Sequence, residues 1–383
     1  MANSSPNSAT RINKAISQAT DLNFMDVALS LARRGLGNVH PNPAVGCIIA
    51  QGNEVVGRGW TGPGGRPHAE TVALKQAGAS AKNATAYVTL EPCAHHGQTP
   101  PCVDALIAAK IKRCVISMED PDERVSGQGI AALQNAGIEV TVGVRESQAK
   151  FLNRGFLTRI TKGRPHFTLK TATSLDGKIA TAEGQSKWIT GTAARAQGHA
   201  LRARHDAILT AVGTITADNP ELTCRLPGLK NRSPIRIILD PGQNVSREAF
   251  LIETADQHPI WVITAKDSGP PPGHLISNNI KLLQCNTDYN GRIKLTNLAQ
   301  ILGQEGLTRI LVEGGSQLSA SFIKNNLVDE LIWFRAPFVI GGDGLPAVAG
   351  VSLAQLIEAK RFRLIDSRKL GDDMMETYVK EDD

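Results

Sequence analysis

The 383-residue sequence contains no run of about 18 apolar residues, so it offers no transmembrane helix. Its opening stretch, MANSSPNSATRINKAISQAT, lacks the apolar segment a secretory signal needs. Residues 1–20 therefore read as a disordered or loosely held extension, and the chain as cytoplasmic. Aromatic residues are scarce: nine Phe, four Trp and three Tyr leave little for a base-stacking platform. Lys and Arg outnumber Asp and Glu by only 42 to 36, with no basic block. That excess slightly favours small anionic ligands and makes no case for nucleic acid. Six cysteines (Cys47, Cys93, Cys102, Cys114, Cys224 and Cys285) are too few in so long a chain for a disulfide framework. Any special cysteine is expected to be a metal ligand or a nucleophile.

What is present is ordinary for a globular protein, with 41 % hydrophobic and 20 % charged residues. At roughly 100–200 residues per domain the length predicts two domains and allows three. Between Asp21 and about Val144, helical and strand patterns alternate. FMDVALSLARRG places Met25, Leu29 and Ala32 at helical spacing, and AVGCIIA and EVVGRGW read as a β-hairpin. Helices are expected over 68–77, 103–110 and 130–137, and strands over 86–91, 114–119 and 138–143. This alternation predicts an α/β layer with a largely parallel part. FLNRGFLTRITKGRP (151–165) reads as a connecting helix and turn. A second α/β unit then begins at His166, with its clearest strands at 235–240, 260–264, 309–314 and 330–335. The Pro/Gly-rich stretches 219–234 and 266–275 read as exposed loops.

The most informative residues are His68-Ala69-Glu70, Glu91-Pro92-Cys93 and Pro101-Cys102. They fall at a helix start, a strand end and the opening of the next helix, three places that can converge at one sheet edge. One imidazole and two thiolates would leave a fourth tetrahedral position on Zn²⁺ open, as catalytic sites do. Such a metal lowers the pKa of water, and Glu70, two residues past a ligand, can move the proton. Rings with an exocyclic amine are the natural substrates. His95 and His96 could compete as ligands and are read instead as loop residues near the substrate. Cys47 and Cys114 lie in apolar strands and read as core thiols.

Zinc deaminases of nucleobases commonly carry two residues between the cysteines; here Cys93 and Cys102 are separated by AHHGQTPP. That longer loop, with His40-Pro41-Asn42-Pro43-Ala44-Val45-Gly46 upstream, resembles the pyrimidine deaminase of riboflavin biosynthesis. The resemblance implies a cytidine-deaminase-like three-layer domain over 21–163. It assigns His68, Cys93 and Cys102 to zinc, Glu70 to proton shuttling and Asn42 to the pyrimidine. The bacterial form is fused to a reductase, which predicts the content of the second half.

Taken by itself, 168–190 (TLKTATSLDGKIATAEGQSKWIT) offers a strand with Lys170, a turn at Asp176-Gly177, and Trp188 beyond Ser186. Arg202 and Arg225 flank VGTITADNPELT, which contains Asp218. LVEGGSQLSASFI (311–323) reads as a buried strand, a Gly-Gly turn and a helix opened by Ser316. Glycines at such a turn let backbone N–H groups approach a phosphate; a plain tight turn is the other reading. Asp176 is expected to shape its turn and Lys170 to contact substrate. This half resembles the dihydrofolate-reductase-like α/β domain of the same bacterial enzymes, over 164–383. The resemblance implies that Ala172, Trp188, Thr214, Asp218, Gly315, Ser316, Gln317, Leu318 and Ser319 bind NADPH. It places Ser186, Arg202, Leu222, Arg225 and Glu313 against the phosphosugar, where paired guanidinium groups would grip a phosphate.

The two resemblances together imply a bifunctional enzyme that deaminates a phosphorylated diaminopyrimidine and then reduces its ribosyl chain. They also imply Zn²⁺ and NADPH as cofactors, and a homo-oligomer, dimer or tetramer, formed through the reductase domain. A nucleic-acid-editing deaminase is disfavoured by the weak basic excess. A second domain that has lost catalysis is disfavoured by the retained Lys170, Trp188, Arg202, Arg225 and Glu313-Gly-Gly-Ser. A non-enzymatic binding module is disfavoured by the complete set around Glu70.

Overall fold

The computed structural model describes residues 8–97, 100–122 and 126–381, with backbone alone over 8–17. The chain divides into two compact units, Met1–Thr161 and Lys162–Asp383. Among the described residues no helix is long and apolar enough to cross a membrane.

The first unit runs α1 (Ser8–Ala32), β1 (Gly46–Gln51), β2 (Glu54–Trp60), α2 (Ala69–Ala77), β3 (Thr85–Val88), α3 (Cys102–Ala108), β4 (Arg113–Ile116), α4 (Gln128–Asn135), β5 (Glu139–Val142), α5 (Glu146–Leu152) and α6 (Arg154–Lys162). Its five strands lie in the order β2-β1-β3-β4-β5. β1 is antiparallel to β2 and β3, whereas β3, β4 and β5 are mutually parallel. β1 buries every residue except its last, because α1 and α2 both pack on it. Each fully buried Ile in that strand stabilises by about 1.5–3 kcal/mol.

Small residues set how closely α2 approaches. A Cβ at Gly57 would lie 2.2 Å from the Ala73 carbonyl oxygen, and one at Gly59 would lie 2.0 Å from that of Ala69. The helix backbone therefore rests directly on β2, which fixes the place of His68 and Glu70 at its first turn. α1 begins at Ser8, inside the stretch expected to be a disordered extension. No Gly or Pro follows Pro6 until Gly35, so nothing breaks a helix anchored by Met25, Ala28 and Leu29 in the core.

The second unit contains β6 (His166–Thr173), β7 (Lys178–Ala180), α7 (Thr192–Arg202), β8 (Ala207–Ala211), α8 (Val212–Asp218), β9 (Ile235–Leu239), α9 (Phe250–Glu253), β10 (Ile260–Ala265), β11 (Ile280–Cys285), α10 (Leu295–Gln304), β12 (Arg309–Glu313), α11 (Ser316–Lys324), β13 (Glu330–Arg335), β14 (Leu345–Pro346), β15 (Phe362–Leu370) and β16 (Asp373–Lys380). Nine strands form one sheet in the order β11-β10-β9-β8-β12-β6-β13-β16-β15, and β7 pairs with β14 apart from it. The strands from β11 to β13 are parallel; β16 and β15 close the sheet as an antiparallel hairpin. From β6 the chain winds outward to β11, returns as β12 beside β6, and continues on the other side as β13. The carboxyl ends of β6 and β12 thus lie at a topological switch point, where open α/β sheets bind ligands.

The loop 219–234 departs from its expected exposure: Leu222, Thr223 and Cys224 are buried. Asp176 shapes its turn by accepting hydrogen bonds from Ser174 Oγ and from the backbone N–H groups of Ile340 and Gly341.

Candidate active sites

In the first unit, the polypeptide brings three soft donors together at the starts of two helices. His68 is the residue preceding α2, Cys102 opens α3, and Cys93 follows β3. His68 Nδ1 lies 3.2 Å from Cys102 Sγ and 3.6 Å from Cys93 Sγ. The long Cys93–Cys102 loop is pinched at its base, where the N–H of Cys102 donates to Cys93 Sγ at 3.4 Å and that of Val103 to the Cys93 carbonyl at 3.3 Å. The loop length is therefore no obstacle to bringing both thiols to one point. Among the described residues these three form a group of His, Cys, Asp or Glu whose ligand atoms all lie within 4.8 Å of one another. His95 and His96 are exposed and stand outside it. One imidazole and two sulfurs at this spacing fit a tetrahedral zinc with one position open.

The electrostatics match that fit. Hydrogen bonding from Cys102, reinforced by His68, pulls the Cys93 thiol down to about 4, while the shared bond pushes Cys102 up. Cys93 Sγ lies beside the first turn of α3, whose dipole favours a thiolate there, and Cys102 keeps the shared proton. Glu70 is buried in the first turn of α2, and burial pushes its carboxyl up to about 7. A carboxyl poised near neutrality can both take and return a proton. His68, Glu70 and Cys93 line a cavity of about 310 Å³, to which Asn42 also contributes. Asn42 Nδ2 donates to the Gly65 carbonyl at 3.1 Å. A Cβ on Gly65, at φ +86°, would fall 2.0 Å from that amide nitrogen, so only glycine lets Asn42 occupy this place.

Two residues that shape this cavity were given no role by the sequence, Glu91 standing there only as a neighbour of Cys93. Glu91 is buried and accepts backbone hydrogen bonds from Asp120, Gly127, Gly129 and Ile130. It holds the start of α4 and the Asp120 segment against the cavity wall. Asn153, between α5 and α6, bonds both backbone groups of Ala44, at 2.9 and 3.1 Å. It ties the Asn42 segment to the helix that supplies Phe156 and Arg159 to the same cavity.

In the second unit, parallel register sets Lys170 of β6 directly beside Glu313 of β12. Lys170 Nζ lies 3.7 Å from Glu313, and Arg202 of α7 grips the same carboxylate through Nε and Nη2 at 3.0 and 2.9 Å. Burial alone would raise Glu313; the Arg202 and Lys170 charges override it and hold the carboxyl down to about 2. Arg202 Nη1 donates to the Thr223 carbonyl at 3.1 Å. Arg202 is thus half-buried and engaged with Glu313. Arg225 instead stands half-exposed, 2.8 Å from Glu221. Such surface pairs are worth only about 0–1 kcal/mol, so Arg225 can exchange its partner for a phosphate at little cost. Leu222 is 4 % exposed and packs in the core, so its side chain is a scaffold element.

The cofactor-binding candidates gather partly around the same strand ends. Gly315 precedes α11 without a side-chain cap among the described residues, leaving the first-turn N–H groups of Ser316, Gln317 and Leu318 for a ligand. Ser319 is buried in that helix. A Cβ on neighbouring Gly314 would lie 2.7 Å from Leu318 and 3.5 Å from Thr210 Oγ1. That buried hydroxyl has no hydrogen-bond partner among the described residues. An open helix start beside an orphaned hydroxyl fits the phosphate of a dinucleotide. Ala172 lies on β6 opposite Phe334, and Thr214 and Asp218 lie on α8. Trp188 is 70 % exposed, with the Arg195 guanidinium 4.6 Å from its ring. Its loop is tethered to α8 by Lys187 Nζ donating to the Asp218 carbonyl at 3.4 Å. Ser186, in this loop, is half-buried.

Comparison with known proteins identifies the family of each unit. Residues 18–118 match the cytidine and deoxycytidylate deaminase zinc-binding region, and residues 165–375 match the RibD C-terminal domain. The class is thus a zinc-binding deaminase joined to a reductase of the NADPH-dependent kind. The riboflavin biosynthesis protein RibD of Escherichia coli strain K12 is 41 % identical, covering 92 % of this chain and 97 % of that protein. Its Bacillus amyloliquefaciens counterpart is 40 % identical, covering 94 % and 96 %. The solved structure of Acinetobacter baumannii RibD superposes with a TM-score of 0.86 at 37 % identity, covering 95 % of this chain and all of that one. The chain belongs to the RibD family, bifunctional deaminase/reductases of riboflavin biosynthesis.

Proposed function

We propose that the first unit deaminates 2,5-diamino-6-ribosylamino-4(3H)-pyrimidinone 5′-phosphate to 5-amino-6-(5-phosphoribosylamino)uracil. The second unit then reduces that product to 5-amino-6-(5-phosphoribitylamino)uracil. The observation that carries this reading is the convergence of His68, Cys93 and Cys102 at a cavity that Glu70 and Asn42 line. His68, Cys93 and Cys102 would hold a zinc ion, which would act as a Lewis acid that lowers the pKa of water. Glu70 carries a proton from water to the ring nitrogen and on to the departing amine, so one water enters and one ammonia leaves. Asn42 orients the pyrimidine. In the second unit NADPH supplies the hydride, held by the α11 start, Ala172, Trp188, Thr214 and Asp218. Lys170 and the Arg202–Glu313 pair fix the sugar end, with Ser186 beside them, and Arg225 takes the phosphate.

A coupled assay on the full chain, following ammonia and NADPH separately, tests the assignment. With the diaminopyrimidine phosphate alone, ammonia is released; NADPH is consumed only once the deaminated product is present. NADPH loss without ammonia release would overturn the order of steps. Arg225→Ala is expected to raise the reductase KM for the phosphorylated substrate on the order of tenfold or more, the effect of a lost charged hydrogen bond. An unchanged KM would place Arg225 outside the site. The same reading makes the chain a cytoplasmic enzyme of small phosphorylated pyrimidines. It also has copies assembling through the reductase unit, where Leu356 and Ile357 are 88 % and 80 % exposed.

A further inference from the structure

Arg225 is useful to a phosphate only if the segment carrying it is held still, and that segment has an awkward backbone. Leu222 sits at φ +55°, a conformation that a branched apolar residue adopts only when its surroundings impose it. The imposing contacts come from one face of α7. His199 and Arg202, three residues apart and hence neighbours on that face, both reach the Thr223 carbonyl. His199 Nδ1 lies 3.0 Å from it and Arg202 Nη1 lies 3.1 Å. A carbonyl oxygen has two lone pairs, and here both face a nitrogen of α7.

The same ring nitrogen of His199 faces a donor as well, so either tautomer ties the ring to the segment: protonated, Nδ1 donates to the Thr223 carbonyl, and unprotonated, it accepts from the Arg225 N–H. The backbone N–H of Arg225 lies 3.4 Å from the same ring nitrogen, so the imidazole packs against the residue whose side chain must reach the substrate. Arg202 alone could not hold the segment as firmly, because it is also committed to Glu313 through two nitrogens.

We infer that His199 is a positioning residue of the reductase, which locks the Thr223–Arg225 segment against the Arg202–Glu313 pair so that Arg225 can meet the substrate phosphate. This rests on the reading of Arg225 given above. Burial, helped by the Arg202 and Arg225 charges, lowers the imidazole pKa. The ring is thus neutral at physiological pH and meets the segment through Nδ1. Arg202, Arg225, Glu313 and Glu221 are the charged groups facing it.

The test is steady-state NADPH oxidation by the full-length protein with 5-amino-6-(5-phosphoribosylamino)uracil, comparing His199→Ala, His199→Asn and Arg225→Ala. His199→Ala is expected to raise KM about fivefold or more, as for one lost hydrogen bond, with kcat and its pH profile retained. His199→Asn is expected to recover most of the loss, since its side-chain amide offers both a donor for the Thr223 carbonyl and an acceptor for the Arg225 N–H. Deamination by the same samples is expected to be unchanged, showing that the chain is folded. A raised KM in Arg225→Ala with an unchanged KM in His199→Ala would overturn the inference and leave the Arg225 reading intact. A fall in kcat with loss of a pH limb would make His199 a proton donor and overturn it too. Failure of His199→Asn to recover function would show that the hydrogen bond is not the cause. An unchanged KM in Arg225→Ala would overturn both readings.

Discussion

Glu70→Gln is expected to lower ammonia release by about 10³-fold or more while the protein keeps its zinc. The side chain keeps its size and its place in the first turn of α2, so packing against β2 survives. What it loses is the ability to accept a proton from water and hand it to the amine. Its two-residue distance from His68 keeps it out of the donor group formed by His68, Cys93 and Cys102. Elemental analysis should therefore find the same metal content as in the unaltered protein. Cys93→Ser separates the roles from the other side: a hydroxyl replaces the thiolate, and metal and ammonia release are lost together. The reductase rate with pre-deaminated substrate serves as the folding control for both. Normal ammonia release by Glu70→Gln would remove the carboxylate from the chemistry.

How much of this was legible from the sequence depends on how far apart the cooperating residues lie. The donors His68, Cys93 and Cys102 announce themselves because each residue type is chemically distinctive and each falls at the start or end of an element. Glycine at Gly314 and Gly315 likewise marks a strand-to-helix turn. Glu91, named only beside Cys93, gave no such signal of its role, and Asn153 and His199 gave none. Their partners are backbone groups of Gly129, Ala44 and Thr223, distant in sequence, and nothing local separates an Asn that ties two loops from one in solvent. Strand β15 was illegible for another reason. Its residues, FRLIDSRKL, are nowhere fully buried, so no alternation of apolar and polar positions is written into them. The pairing of Arg202 with Glu313 was not foreseen, because sequence cannot show that β12 delivers Glu313 to it. Leu222, apolar and in a loop, gave no hint that it is a core residue in a left-handed conformation.

The Arg202–Glu313–Lys170 cluster also carries the largest expected effect in the reductase unit. Glu313→Gln keeps the shape but leaves two cations facing an amide in a partly buried place, where losing the shared partner costs about 1–3 kcal/mol. Thermal unfolding should register that loss. NADPH oxidation should fall with it, because the register that pairs Glu313 with Lys170 also sets the floor of the site. The sign of the pH effect follows from the low carboxyl pKa. A carboxylate held near 2 in the folded chain, against 4.5 as its ordinary value, stabilises fully above the ordinary value. That contribution shrinks as pH falls below 4.5 and is lost through about 2. Between pH 6 and 9 the unaltered protein should accordingly show no reductase limb from Glu313. The stability gap between it and Glu313→Gln should stay constant across that range and narrow only in acid. A gap that already closes near neutrality, or a Gln variant with unchanged KM and unfolding temperature, would mean that the two cations find compensation elsewhere and that the carboxylate does not organise the site.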